Sequence, residues 1–146
     1  MTETIVVGYD GSRAAEKALA QAVREAQRRS GSRILIACGH QQPFGWLGFG
    51  GLGALDAQSR KYWEQLVDRI AAELEAAAAG VREAGIDCST TCSDAQPAEI
   101  LLDAARATDA SLIVIGARGA GEAGALGSTT SRLLQQARTP VLVVPD

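Results

Sequence analysis

Short apolar runs alternate along this chain with longer segments whose apolar residues recur at helical spacing. The runs at 5–9 and 112–115 are apolar at nearly every position, which is typical of parallel strands covered by helices on both faces. Between such runs, residues like Ala18 and Ala22 keep the period of a helix. The pattern predicts strands at 5–9, 34–38, 86–92, 112–115 and 140–144. It predicts helices that begin near Ala15, Gln58, Pro97 and Ser128.

The regular alternation of strand and helix predicts the fold class. This order calls for an α/β fold, an open five-stranded parallel sheet with right-handed crossovers and helices on both faces. The third strand is rich in threonine and poor in large apolar groups, so we expect it at an edge, with the fourth strand in the centre. In the last helix, Leu133 and Leu134 are expected to face inward.

The length of 146 residues fits one domain, which we expect to span residues 1–146. A glycine- and aromatic-rich stretch at about 41–57 interrupts the periodicity and is interpreted as an insertion rather than a linker. Its aromatic residues either pack as a local cluster or form a lid or a protein contact.

Composition and charge exclude several classes of function. The net charge is −3 and the chain has no long basic run, which argues against nucleic acid as the main partner. No stretch is apolar enough to span a membrane, and the first residues lack the features of a signal peptide. We therefore expect a cytoplasmic protein.

Three cysteines, Cys38, Cys88 and Cys92, form no disulfide framework. In an extended segment Cys88 and Cys92 lie on one face but too far apart along the strand for a disulfide. His40 is the only histidine, so a metal site built on these thiols would lack ligands. We interpret the three thiols as buried or idle.

Two loops carry chemistry suited to a ligand. In open parallel sheets, ligands bind beyond the carboxyl ends of the strands, where the strand order reverses. One loop contains Gly8, Tyr9 and Asp10, and the other runs from Gly116 to Gly127. If the first and fourth strands are neighbours, the two loops flank a single crevice.

The second loop is suited to phosphate. Glycines let backbone N–H groups approach an anion, and the start of the following helix at Ser128 favours negative charge. Thr129 and Thr130 add hydroxyls and Arg118 adds a cation. Asp10 can hydrogen-bond a ribose hydroxyl or hold a magnesium ion beside phosphates.

Each of these residues also has a purely structural interpretation. Asp10 can serve the turn before the first helix, Ser128 can cap the last helix, and Arg118 can be solvated. A plain connection between a strand and a helix usually runs two to six residues, so the length of the glycine-rich loop favours phosphate binding.

The sequence resembles the universal stress protein family over almost its whole length. The strand and Asp-Gly-Ser turn at 5–12, the segment 96–100, the strand and glycine turn at 112–119, and the helix and strand at 127–144 are similar to that family's motifs. The resemblance implies a Rossmann-like fold of the adenine nucleotide alpha hydrolase type, with strand order 3-2-1-4-5.

The resemblance also implies an adenine-nucleotide site, with ATP as the first candidate. It implies that Asp10 lies near the ribose and phosphates, that the Gly39 backbone reads adenine, and that Gly116, Gly119, Gly127 and Ser128 form the phosphate motif. Seven residues separate Gly119 from Gly127, whereas ATP-binding members have nine. The shorter loop, whose maximal reach is about 7 Å less, either follows a tighter path or suits a shorter or cyclic phosphate.

The last strand is strongly apolar and ends the sequence. An apolar edge is a hazard unless it is paired, and pairing with its own copy gives a two-fold dimer. The resemblance implies such a homodimer, through Val141, Leu142, Val143 and Val144.

Three functions stay open: a nucleotide-binding stress-response regulator that acts through a regulatory protein or its own conformation, a slow ATPase, and a dimeric interaction module without nucleotide. The sequence offers no dedicated general base or arginine pair, so at most weak ATP hydrolysis is expected. No nucleophile has an evident partner base, and no catalytic residue is assigned.

Overall fold

In the computed structural model of the protein, the described residues are 2–39, 57–117 and 127–145, with backbone alone for 57–59. Most of the predicted 41–57 insertion, as well as Arg118 and Gly119, therefore lies outside the described residues. The strands are β1 (Thr4–Gly8), β2 (Arg33–Gly39), β3 (Asp87–Ser93), β4 (Leu112–Gly116) and β5 (Val141–Val144). The helices are α1 (Arg13–Arg28), α2 (Ala57–Glu83), α3 (Pro97–Thr108) and α4 (Ser128–Gln136).

The five strands form one parallel sheet in the order β3-β2-β1-β4-β5. This confirms the predicted fold class and strand order, including β3 at an edge and β4 inside the sheet. Val7 pairs with Ile36 on one side and with Val114 on the other. The strand order reverses between β1 and β4, which fixes the place where a ligand crevice is expected.

Helices cover both faces of the sheet because the strand side chains alternate between two cores. On one face, Ile5 and Val7 pack in a cluster with residues of α1 and α2 such as Ala22 and Ala78. On the other face, Val6 packs in a cluster with residues of α3 and α4. The sheet is thus the buried middle layer, and β1 is apolar throughout because both of its faces are covered.

The helix ends follow local sequence signals. Ser12 is the N-cap of α1, and Pro97 is in the first turn of α3, as its restricted φ favours. Gly85 follows α2 with a φ of +84°, which a glycine adopts without strain. These ends confirm the predicted boundaries to within two residues.

One inward prediction for α4 is wrong. Leu133 is fully buried, whereas Leu134 is 51% exposed. Consecutive helical residues lie about 100° apart around the axis, so a short helix that packs along one narrow stripe buries only one of the two. Within the described ranges, no helix combines the length and hydropathy that crossing a membrane requires.

Candidate functional site

The parallel pairing of β1 and β4 brings the two predicted ligand loops together. The turn after β1 and the end of β4 leave the sheet side by side, and the start of α4 lies against both. The described residues at this point line an open cavity of about 100 Å³. Its lining includes Asp10 from the turn and Gly127 and Thr129 from the start of α4. The crevice expected from the strand order is therefore present.

The turn after β1 is held by three hydrogen bonds. The Tyr9 N–H donates to the Ala37 carbonyl at 3.0 Å, which extends the pairing of β1 and β2 by one residue. The Ser12 N–H donates to Asp10 Oδ1 at 2.9 Å, and the Ala15 N–H donates to Ser12 Oγ at 3.1 Å. Asp10 thus serves the turn, and its exposed carboxylate also lines the crevice. The structural and ligand-binding interpretations of Asp10 are compatible.

The start of α4 differs from the prediction in one respect. Gly127, not Ser128, occupies the N-cap position, and Ser128 is the first helical residue. The Gly127 N–H donates to the Ala117 carbonyl at 3.1 Å, and the Ser131 N–H donates to the Gly127 carbonyl at 3.0 Å. The prediction failed because glycine and serine are both common at the N-cap position. Which of two adjacent residues takes that position depends on the backbone conformation before the helix, which the local sequence does not determine.

Thr129 and Thr130 have different surroundings. Thr130 is 3% exposed and its hydroxyl donates to the Gly116 carbonyl at 3.1 Å, so it fastens α4 to the end of β4. Thr129 is half-buried on the crevice wall. Backbone N–H groups in the first turn of a helix have no acceptor within the helix, so this end favours an anion. Thr129 is therefore the better candidate for contact with a ligand through its hydroxyl.

Ser128 faces a different surface from the one predicted. It is exposed and lines a neighbouring groove of about 320 Å³ between the starts of α3 and α4. Arg132 lines the same groove, where it donates to Gln96 Oε1 and, at 3.4 Å, to Glu99 Oε1. Sequence reasoning missed this cation. The signal was its position four residues after Ser128, since residues at that spacing share a helix face.

Two of the predicted glycines are required by the packing of the chain itself. A Cβ at Gly39 would lie 2.8 Å from the Ala95 carbonyl oxygen and 2.8 Å from the Pro97 Cα. A Cβ at Gly116 would lie 2.8 Å from the Ala14 Cβ. Both glycines line the crevice, so they also leave its wall free of side chains.

Part of the crevice wall is apolar and was not predicted. Ala37, Pro97, Leu101 and Ile115 line it together with Gly8. Pro97 and Leu101 are four residues apart on α3 and so share a face. The spacing of these two residues predicts that they are buried. It does not predict that their side chains leave an open cavity over the end of β1. The result is an apolar surface suited to a flat, weakly polar group.

The other side of the turn is acidic. Burial raises the pKa of Tyr9, and the nearby carboxylates of Glu16, Glu73 and Asp10 raise it further. These carboxylates repel a phosphate bound beside the turn. The phosphate charge therefore has to be balanced by the start of α4 or by a cation. Within the described residues there is no group of three or more possible metal ligands. Of the carboxylates that the structure describes, Asp10 is the one that lines the cavity.

Eight of the eleven residues predicted to contact a nucleotide line one crevice, and three are not found there among the described residues. Ser128 lies on the neighbouring groove, and Arg118 and Gly119 are outside the described residues. The predicted residues that line the cavity from the strand ends are Gly8, Tyr9, Asp10, Gly39 and Gly116. Those from the start of α4 are Gly127, Thr129 and Thr130.

The fold and the crevice define an open parallel α/β protein with a pocket at its topological switch point. Residues 1–145 match the sequence model of the universal stress protein family. The chain belongs to that family, as its motifs indicated.

Individual relatives support the same family assignment. A universal stress protein of Thermus aquaticus is 33% identical over 146 residues, which cover 99% of each chain. The solved structure of the universal stress protein UspA from Lactobacillus plantarum is 25% identical, with a TM-score of 0.75 and 97% of each chain covered. A universal stress protein from Archaeoglobus fulgidus, solved in complex with dAMP, is 26% identical, with a TM-score of 0.65 and 97% of each chain covered.

Proposed function

We propose that this protein binds an adenine nucleotide in the crevice between β1, β4 and the start of α4. The observation that carries the proposal is that Asp10 and the first turn of α4 line one cavity, which is the arrangement that a nucleotide needs for its ribose and phosphates. The complex of the Archaeoglobus fulgidus relative with dAMP supports the same ligand class.

The proposal gives each part of the nucleotide a place in the crevice, and the chemistry of the lining residues supports it. The apolar wall of Pro97 and Leu101 beside Gly39 suits the flat adenine ring. Asp10 accepts a hydrogen bond from a ribose hydroxyl. The phosphates lie toward Gly127 and Thr129, where N–H groups of the first helical turn point.

ATP is the first candidate, with AMP and cyclic AMP as competitors because of the short loop between Gly119 and Gly127. The Asp10 carboxylate is exposed and is an oxygen donor, so it fits a magnesium ion that is shared with phosphates. Bound there, magnesium would neutralise phosphate charge next to the acidic side of the turn. Asp10 would hold the ion, and the start of α4 would orient the phosphates.

Titration with ATP, AMP and cyclic AMP, with and without magnesium, tests the proposal. The informative variant is Asp10→Asn, which keeps an oxygen for the Ser12 N–H but removes the charge. We expect it to weaken magnesium–ATP binding by about 10-fold or more, from the loss of a charge-assisted contact. Asp109→Asn is the matched control, since Asp109 lies between α3 and β4 at the amino ends of the strands, away from the crevice, and asparagine tolerates its left-handed φ of 50°.

The titration also separates the three functions that the sequence leaves open. Binding without phosphate release supports a regulator that acts through a partner protein or through its own conformation. Release of phosphate that Asp10→Ala abolishes supports a slow ATPase. If none of the three nucleotides binds, the nucleotide proposal is wrong and the dimeric interaction module remains.

We also propose a homodimer through β5. This strand is at the edge of the sheet and its four apolar side chains are only half-buried. The Pro140 and Val144 carbonyls accept from Ile113 and Ala117, so the N–H and C=O groups of Val141 and Val143 point away from β4. An unpaired apolar edge of this kind is a template for a second copy.

Solution mass measured by light scattering tests the dimer. Val143→Pro removes one outward N–H group without removing a hydrogen bond to β4, so we expect it to weaken association and preserve the fold. A wild-type mass equal to one chain at high micromolar concentration would contradict the dimer. Cytoplasmic location and a regulatory protein partner stay predictions from the sequence.

A further inference from the structure

The three cysteines, which the nucleotide site does not use, are not equivalent. In the parallel pairing of β2 and β3, Cys38 lies directly opposite Cys92. Cys88 lies opposite Ile34 instead, and four residues of extended strand, about 13 Å, separate it from Cys92. The fold therefore creates one cross-strand pair of thiols and leaves the third cysteine without a thiol opposite.

The spacing of neighbouring strands brings this pair within reach of a disulfide. Neighbouring strands lie about 4.8 Å apart, which puts paired Cα atoms within the range of about 4.4–6.8 Å that disulfides span. Both side chains point to the same face of the sheet, where Cys38 belongs to the core cluster and Cys92 packs against it. A side-chain hydrogen bond joins the two thiols.

We propose that Cys38 and Cys92 form a pair that closes slowly into an intramolecular disulfide when the protein is exposed to excess peroxide. Cysteine pairs of cytosolic proteins that do form disulfides are mostly transient and redox-sensing. The proposal rests on strand register and does not depend on nucleotide binding.

The exposure of the two thiols assigns the order of the steps. Cys92 is half-buried and Cys38 is buried, so peroxide reaches Cys92 first. The Cys92 thiolate attacks the O–O bond of hydrogen peroxide, an S–O bond forms, and the released hydroxide takes up a proton to leave as water. The Cys38 sulfur then attacks the Cys92 sulfur, an S–S bond forms, and the second oxygen leaves as water with the Cys38 proton. Two thiols are oxidised and one peroxide is reduced to two waters.

Both thiols are expected to react slowly with peroxide, because few of them are ionised at neutral pH. Burial raises the pKa of Cys38 to about 12 and also raises that of Cys92. The hydrogen bond from Cys38 acts in the opposite direction on Cys92, so Cys92 is the better nucleophile of the two. A pair with these properties stays reduced under ordinary conditions and closes only after prolonged oxidant exposure.

The location of the cross-link ties it to the candidate site. Cys38 is the residue before Gly39, which lines the cavity, and Cys92 is the last residue but one of β3. A disulfide here fastens the edge strand to β2 at the end of the sheet where the crevice opens. The cross-link therefore lies next to Gly39, a residue of the crevice wall.

The experiment exposes the reduced full-length protein to excess hydrogen peroxide for a prolonged period and then counts free thiols after denaturation. We expect the wild type to fall from three thiols to one, to lose the mass of two hydrogens, and to yield a peptide in which Cys38 is linked to Cys92. Cys88→Ser is the matched control and should reach zero thiols. Cys92→Ser should keep both remaining thiols as thiols.

Several results would overturn the proposal. They are three surviving thiols, a linkage that involves Cys88, a disulfide only between two chains, or oxidation of Cys92 to an acid without a linkage. Reduction of the linked protein should restore three thiols, and failure to do so would show irreversible damage in place of a reversible pair.

Discussion

Gly116 ends β4 at the crevice, and its replacement by alanine tests why a glycine stands there. The added Cβ would lie 2.8 Å from the Ala14 Cβ and 2.9 Å from the Ala14 carbonyl oxygen. Carbon atoms in favourable contact lie about 3.5–4.0 Å apart, so the end of β4 or the start of α1 has to move. We therefore expect Gly116→Ala to destabilise the protein in the absence of any ligand.

The magnitude follows from the size of the overlap. Overfilling a well-packed region costs about 1–3 kcal/mol. For 146 residues, an unfolding entropy of about 2.1 cal/mol/K per residue amounts to about 0.3 kcal/mol/K. The expected loss therefore corresponds to a melting temperature about 3–10 °C below that of the wild type.

Gly80→Ala makes the same chemical change where there is room for it. Gly80 is an exposed residue within α2, and a Cβ there would meet nothing within 4 Å. Alanine is favoured over glycine in a helix by about 0.5–1 kcal/mol. The control should therefore melt about 2–3 °C above the wild type, by the same entropy.

The assay is thermal unfolding of the nucleotide-free protein, followed by circular dichroism, with urea unfolding as a check on the free energy. If Gly116→Ala melted at the wild-type temperature while Gly80→Ala rose, the contact with Ala14 would not constrain position 116. The glycine would then be needed only for the ligand, and the loss would be confined to nucleotide affinity.

Three further predictions concern the two threonines of α4, its two leucines, and Cys38. Thr130→Val should lower the free energy of unfolding by about 1–2 kcal/mol, because it removes the buried hydroxyl that donates to β4. Thr129→Val should change the free energy of unfolding by less than about 0.5 kcal/mol and weaken nucleotide binding. If Thr129→Val and Thr130→Val were equally stable in urea, the different roles of these two threonines would be wrong. Leu133→Ala should cost about 2–5 kcal/mol and Leu134→Ala less than about 0.5 kcal/mol, since only the first is buried, and urea midpoints that fail to separate them would refute the assigned helix face. Burial raises the pKa of Cys38 from 9.0 to about 12, so the folded state favours the protonated thiol and loses stability as the pH rises from 9 toward 12, by up to about 1.4 kcal/mol per pH unit. Burial also raises the pKa of Cys88 to about 11, so Cys38→Ala should reduce that slope in urea unfolding above pH 9 without abolishing it, and an unchanged slope would show that Cys38 is not responsible.

The elements of the fold could be predicted from the chain because their signals are local. A run such as 112–115 is apolar on both sides whatever its partners are, and Pro97 restricts its own φ. Strand order is not local, because it depends on which helices cross which face, and here the family resemblance supplied it. Leu134 shows the limit, since a short helix can bury either of two adjacent leucines.

The candidate site was predicted at the level of loops and less well at the level of side chains. The positions of Asp10 and Gly127 at a common crevice follow from strand order alone. The different roles of Thr129 and Thr130 do not, because they depend on how α4 is rotated against the sheet. The groove that holds Arg132 was missed because it needs α3 and α4 to be adjacent.

By itself, the sequence determined the alternation of strands and helices, the acidic turn after β1, and the small residues where the last helix begins. These depend on the spacing and conformational preferences of residues close together in the chain. Only the tertiary structure decided that Cys38 opposes Cys92 and that Gly116 presses against Ala14. The physical reason is that strand register and close packing join residues far apart in the chain, so no local pattern encodes them.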